Sequence, residues 1–316
     1  MATKKTSKKA PVKAAEKKTA AAKTETKTTV KRVVAESTAK SKRVKLDSKL
    51  PNNLINIVIA EVIGTFILTL AALFASDILS SMYVGFALML IVAIIGNISG
   101  AHVNPAVTFG LWTMRKLKTV LVPFYWGAQF LGAMAAIVLV GSLTNGGFAL
   151  SFDQFTAFSW SIFAMELVGT AVFVFGIAAV LQRKEIKAAG QAFGIGLALM
   201  IGLVVSGSIS SYIKSTAIAK IQKEQSTAQT EKNGRTYPRE IYISGATLNP
   251  AVSLAVTEKT DSQLRSNGVL PAEGEKSYSR FSLEVIAATL IGAALGGNLF
   301  LLVNYRNKIP SSSRAS

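Results

Sequence analysis

The chain has 316 residues, half of them hydrophobic, with a formal charge of +18, one histidine and no cysteine. A mean hydropathy of +0.40 does not fit one soluble domain carrying that charge, so the two properties must separate along the sequence. Disulfides and thiolate metal sites are excluded, and a lone His102 leaves imidazole acid–base, triad and zinc constellations without material. No enzyme, metal site or cofactor is expected.

Residues 1–50 hold sixteen Lys or Arg against four Asp or Glu. They lack the apolar periodicity needed to bury a core and read as a disordered Lys-rich tail, with no apolar stretch of signal-peptide type. Such a tail is a solvated topology determinant or a contact for anionic lipid headgroups, where each Lys is worth about 1 kcal/mol. Nucleic acid is not the expected partner, because no aromatic residue is interleaved to stack on bases.

Six apolar stretches of membrane-spanning length follow, at about Leu54–Ala75, Met82–Ile98, Val120–Gly141, Ile162–Leu181, Ala189–Ser208 and Phe281–Val303. Between the second and third lies Ser99-Gly100-Ala101-His102-Val103-Asn104-Pro105-Ala106-Val107-Thr108. Between the fifth and sixth lies Ser244-Gly245-Ala246-Thr247-Leu248-Asn249-Pro250-Ala251-Val252-Ser253, identical to the first at seven of ten positions. Asn followed by Pro starts a helix, since Asn caps orphan N–H groups and Pro fits the first helical position. Residues 104–114 and 249–257 are too short to cross a bilayer and read as half-helices.

The chain is thus an internal repeat, 51–157 and 158–305, followed by a short cytoplasmic C-terminal tail, 306–316. Ala60-Glu61-Val62-Ile63-Gly64-Thr65-Phe66 and Met165-Glu166-Leu167-Val168-Gly169-Thr170-Ala171 open the two copies. Three spans per copy is an odd number, so the copies are inverted relative to one another. The second copy carries an additional polar insertion at 210–243. Arg115, Lys116, Lys118, Arg183, Lys184, Lys187, Arg306 and Lys308 mark one side, whereas loops 76–81 and 142–161 hold no Lys or Arg. The positive-inside rule then puts both termini in the cytoplasm.

Inversion brings the two half-helices in from opposite faces with their Asn-Pro ends near the midplane. Each N-terminus carries about half a positive charge, which repels cations and protons while uncharged solutes pass. Glu61 and Glu166 have two readings: a proton-coupled site, or acceptors for the backbone N–H groups of the non-helical lead-ins, which must be satisfied where there is no water. The symmetric placement favours the second.

These features resemble the major intrinsic protein family of aquaporins and glycerol facilitators. The likeness covers roughly residues 53–305. It rests on the two Asn-Pro-Ala motifs, on Glu61 and Glu166, on Tyr125-Trp126-Gly127-Ala128-Gln129, and on Gly292 and Gly296. The resemblance implies an all-α membrane protein of six transmembrane helices and two half-helices, a homotetramer in the cell membrane. It implies pore-lining roles for Asn104, Pro105, Ala106, Asn249, Pro250 and Ala251, and structural support from Glu61, Glu166, His102 and Gln129.

The chain departs from the family at the outer constriction. Most relatives carry Arg directly after the second Asn-Pro-Ala, and glycerol facilitators then an Asp; here stand Val252 and Ser253. Spacing from the motifs places the constriction at Val84, Leu203, Ala246 and Val252, a set without a side-chain donor, with Leu203 assigned from the Gly202-Leu203 pair. Arg235 and Arg239, upstream in the insertion, are candidates to fold back and replace the missing charge. The expected function is a passive channel for small neutral solutes, foremost glycerol and water, excluding ions and protons. A water-selective aquaporin, a coupled secondary transporter and a membrane scaffold acting through its tail are the alternatives.

Overall fold

The computed structural model describes residues 50–74, 79–143, 150–224, 237–265 and 275–305. The Lys-rich tail, residues 225–236 of the insertion, including Arg235, and the C-terminal tail lie outside the described residues. The architecture is almost wholly helical. Helices α1 (Leu54–Phe74), α2 (Ser80–Ser99), α3 (Pro105–Thr113) and α4 (Val122–Leu143) form the first repeat. The second comprises α5 (Trp160–Gln182), α6 (Ala188–Glu224), α7 (Pro250–Ala255) and α9 (Leu283–Tyr305), with the one-turn α8 (Asp261–Arg265) between the last two. Among the described residues, α1, α2, α4, α5, α6 and α9 are long and apolar enough to cross a membrane.

Packing between helices follows the repeat. The pair α1 and α4 matches α5 and α9, and α1 and α2 matches α5 and α6. Each half-helix packs on the last span of the other copy, α3 on α9 and α7 on α4, while α2 meets α6 where the copies join. Large aliphatic residues face outward: Ile55, Ile59, Ile63 and Ile67 form an exposed stripe along α1 at helical spacing. Small residues face inward and let backbones approach. A Cβ on Gly132 would lie 2.4 Å from the Val62 carbonyl, and one on Gly292 lies 2.5 Å from that of Leu167. These glycines hold equivalent places in α4 and α9, so this close crossing recurs with the repeat.

Helix α6 differs from its sequence reading. It does not end near Ser208 but runs 37 residues to Glu224, about 55 Å at 1.5 Å per residue, against a hydrocarbon core of about 30 Å. No Gly or Pro occurs from 208 to 224 to stop it. The hydroxyls of Ser208, Ser211, Ser215 and Thr216 bond back to helix carbonyls instead of competing for the backbone. No residue from 211 to 223 is buried, so the first part of the insertion is a solvent-exposed extension of the span. The half-helices are also slightly shorter than expected: α3 ends at Thr113 and α7 at Ala255.

A second segment, described at 257–265 and 275–282, has no sequence forecast. Strand β1 (Leu150–Ser151) pairs in parallel with β2 (Ser277–Tyr278), and Thr257 bridges Ser279. These pairings tie the loops before α5, after α7 and before α9 together.

A methyl group at position 132 should cost about 1–3 kcal/mol, because the nearest atom is backbone and cannot move aside. Gly127, on the same helix, has nothing within 4 Å of an added Cβ. Thermal unfolding in detergent should therefore show Gly132→Ala clearly below the native protein and Gly127→Ala at or slightly above it. Equal stability of the two variants would contradict the close crossing.

Candidate functional site

Two non-helical lead-ins create the site. In the first, Gly100, Ala101 and Val103 all have positive φ, and in the second Gly245 and Leu248 do. A β-branched Val103 at φ 42° is strained by on the order of 1–3 kcal/mol. That strain turns its N–H toward one partner and its carbonyl toward another. Glu61 Oε2 accepts from Val103 N at 2.7 Å, while Oε1 accepts from His102 N at 3.0 Å and Ser99 Oγ at 2.6 Å. In the second copy Glu166 Oε2 accepts from Leu248 N at 2.9 Å, and Oε1 from Thr247 N at 2.9 Å and Thr247 Oγ1 at 3.1 Å. Both carboxylates are fully buried, and they supply the acceptors that water would supply elsewhere.

The carbonyls of the two strained residues complete a reciprocal link. Asn104 Nδ2 donates to the Leu248 carbonyl at 2.8 Å, and Asn249 Nδ2 donates to the Val103 carbonyl at 2.9 Å. Each Asn also caps its own half-helix. Asn104 Oδ1 accepts from Ala106 N, and Asn249 Oδ1 from Ala251 N and Val252 N, with Pro105 and Pro250 opening the helices. The electropositive ends of α3 and α7 therefore meet, each pinned to the other lead-in. One amide hydrogen of each Asn is committed to this link, which leaves one for a passing oxygen.

A cavity of about 310 Å³ opens on this junction. It runs from Ser80, Ser81 and Ser211 at one end, past Val84, Leu203, Ala246 and Val252, to Asn104, Asn249 and His102. All four positions assigned to the constriction face it. Leu203 is the lining member of its pair, since Gly202 packs against the Gly169 carbonyl of α5. Around the four, Leu68, Leu88, Phe173 and Leu199 complete an apolar wall. Polar groups come from the Ser244–Thr247 lead-in and the two Asn side chains. Among the described lining residues, His102 is the one with an ionisable side chain.

His102 stacks on Tyr125 at 4.4 Å between ring centroids, and its Nδ1 lies 3.1 Å from Thr108 Oγ1. Gln129 Nε2 donates to Glu61 Oε2 at 2.8 Å and to Thr108 Oγ1 at 3.0 Å. Both residues thus brace the first lead-in from behind, and His102 also faces the cavity.

Arg239 does not replace a charge at the constriction. It sits buried outside the cavity lining, with Nε 2.7 Å from Glu258 Oε1, Nη1 2.6 Å from Glu284 Oε1, and a longer bond to the Ala157 carbonyl. Two carboxylates from flanking segments hold it, and a buried guanidinium goes where it is paired. Glu284 also accepts the N–H of Ser159, the N-cap of α5, so the cluster joins the start of α5, the segment after α7 and the start of α9. Arg280 has no forecast from sequence: it donates from Nη2 to Glu166 Oε1 at 2.9 Å, with 1% of its side chain exposed. A lone Arg at the start of a span reads as an ordinary flanking charge, and its partner lies 114 positions away. Arg239→Ala leaves Glu258 and Glu284 without their cation and should cost about 3–5 kcal/mol in thermal unfolding. It should not open an ion leak in the folded fraction; a leak without loss of stability would return Arg239 to the constriction.

The model of the major intrinsic protein family matches residues 51–218, more than half of the chain. Aquaporin TIP2-1 of Arabidopsis thaliana is 38% identical over 120 residues, which make up 37% of this chain and 48% of that protein. Aquaporin AqpM of Methanothermobacter marburgensis is 36% identical over 137 residues, 40% of this chain and 52% of that one. The chain spans about half the length of the curated relatives it matches. The X-ray structure of the aquaglyceroporin from Plasmodium falciparum overlays with a TM-score of 0.47 at 18% identity, covering 83% of this chain and all of that one. With six membrane-spanning helices and this family match, the chain is a multi-pass membrane protein and belongs to the major intrinsic protein family, a family of channels rather than enzymes.

Proposed function

We propose that the protein is a passive transmembrane channel for small neutral solutes, glycerol and water foremost, and that it excludes ions and protons. The observation that carries this reading is the cavity ending on two head-to-head half-helix termini, walled by Val84, Leu203, Ala246 and Val252. A cation there leaves its hydration shell, meets two positive helix ends and finds no carboxylate on the wall. A hydroxyl-bearing solute keeps hydrogen bonds from Asn104 and Asn249 while its carbon side lies on the aliphatic face. With Val in place of Arg at 252, the constriction has room for a solute wider than water. That favours glycerol over strict water selectivity, although the curated relatives above carry the name aquaporin.

Coupled transport has less support. Glu61 and Glu166 are occupied by the lead-ins, and Glu284 is held by Arg239. We place the protein in the cell membrane with both termini cytoplasmic, on the ground of the Lys and Arg distribution between loops. By resemblance it is a homotetramer with one pore per subunit; its Lys-rich tail is a solvated topology determinant or a contact for anionic lipid headgroups.

Swelling of proteoliposomes in separate water, glycerol and urea gradients tests the solute assignment. The native protein should pass all three without saturation and without response to a proton or sodium gradient. In Val252→Arg, glycerol and urea permeation should fall about tenfold relative to water, equivalent to ~1.4 kcal/mol of added barrier. An unchanged solute range would remove Val252 from the constriction, and gradient-driven uptake would favour the transporter.

A further inference from the structure

The two repeats satisfy their buried carboxylates with similar donor sets but with different last partners. Glu61 and Glu166 each take two backbone N–H bonds and a hydroxyl from their lead-in. The remaining donor is an amide in the first repeat, Gln129 at 2.8 Å, and a guanidinium in the second, Arg280 at 2.9 Å. The two donors approach different oxygens: Gln129 bonds the one that takes Val103 N, whereas Arg280 bonds the one that takes Thr247 N and Oγ1. Of the two, Arg280 alone brings a positive charge, and it brings it to the oxygen bonded to the cavity-lining Thr247.

From this we infer that Arg280 is a specificity-determining positioning residue: it neutralises Glu166 behind the outer constriction and so supplies the cation barrier that Val252 does not. The inference rests on the channel reading above. Glu166 bonds the backbone of Thr247, and Thr247 and its neighbour Ala246 line the cavity. The guanidinium is thus two hydrogen bonds from the wall, on the order of 6 Å, in a buried region that salt screens little.

Local charge already leans negative. Arg239 and Arg280 stand against Glu166, Glu258 and Glu284. Without Arg280, Glu166 beside the wall would lose its cation, whereas Arg239 is paired with Glu258 and Glu284 outside the cavity lining. The side chain is not explained by stability alone: Nε and Nη1 of Arg280 are buried without a hydrogen-bond partner among the described residues. Unpaired donors of this kind make a buried ion pair a poor stabiliser compared with apolar packing.

Arg280→Gln installs the residue type that the first repeat uses, keeping a donor and removing the charge, and Arg280→Lys keeps the charge. Each full-length variant is reconstituted in vesicles, and glycerol swelling and potassium flux are measured on the same preparation at neutral pH. Glycerol swelling by the native protein establishes the channel reading; its absence there would overturn that reading rather than the role of Arg280. The expected result is glycerol swelling within about twofold of native in both variants, with potassium flux rising at least about tenfold in Arg280→Gln only, in line with the enrichment of counter-ions by an unbalanced cleft charge. Potassium flux at the native level in Arg280→Gln with swelling retained would overturn the inference. So would equal loss of swelling in both variants without any leak, which would mark a purely structural role.

Discussion

Everything in this structure depends on one exchange of hydrogen bonds. Asn104 holds the Leu248 carbonyl and Asn249 holds the Val103 carbonyl. Neither carbonyl could be offered if its residue were not in the left-handed region, and that conformation survives because Glu61 and Glu166 take the N–H groups it exposes. Inside a membrane no water is available to accept them, so each carboxylate is a structural requirement of the broken helix beside it. The cap, the strained lead-in, the buried acid and the cross-link form one unit, built twice.

On the proposed channel reading, that unit sets what can pass. Half-helices fixed tip to tip present positive ends to a common gap, and the charges do not need to reorganise when a solute arrives. In the channel proposed above, the aliphatic wall of Val84, Leu203, Ala246 and Val252 would select by size and by the cost of stripping water. A polar constriction would discriminate by hydrogen bonding to the solute. This one leaves that task to Asn104, Asn249 and the exposed backbone of residues 244–247.

Much of this was legible in the sequence, and the reasons are local. Asn-Pro states its helix start within two residues, and six apolar runs of about 20 state their spans. Leu203 followed from spacing, but the choice between it and Gly202 needed α5, against which the glycine packs. The extension of α6 was hidden because its polar residues, Ser208 to Lys223, look like a loop when read for hydropathy, whereas their hydroxyls fold back on the helix. Arg239 and Arg280 could not be placed, because their partners come from segments far away in sequence. Buried charge is set by tertiary pairing, which periodicity does not record.

The account is tested most directly by measuring proton and potassium currents through the native protein in a planar bilayer, alongside glycerol swelling of vesicles from the same preparation. Two electropositive tips facing a shared gap predict fast swelling with currents no larger than those of protein-free membranes. Currents that grow in proportion to the protein added, while swelling stays at the lipid background, would contradict it.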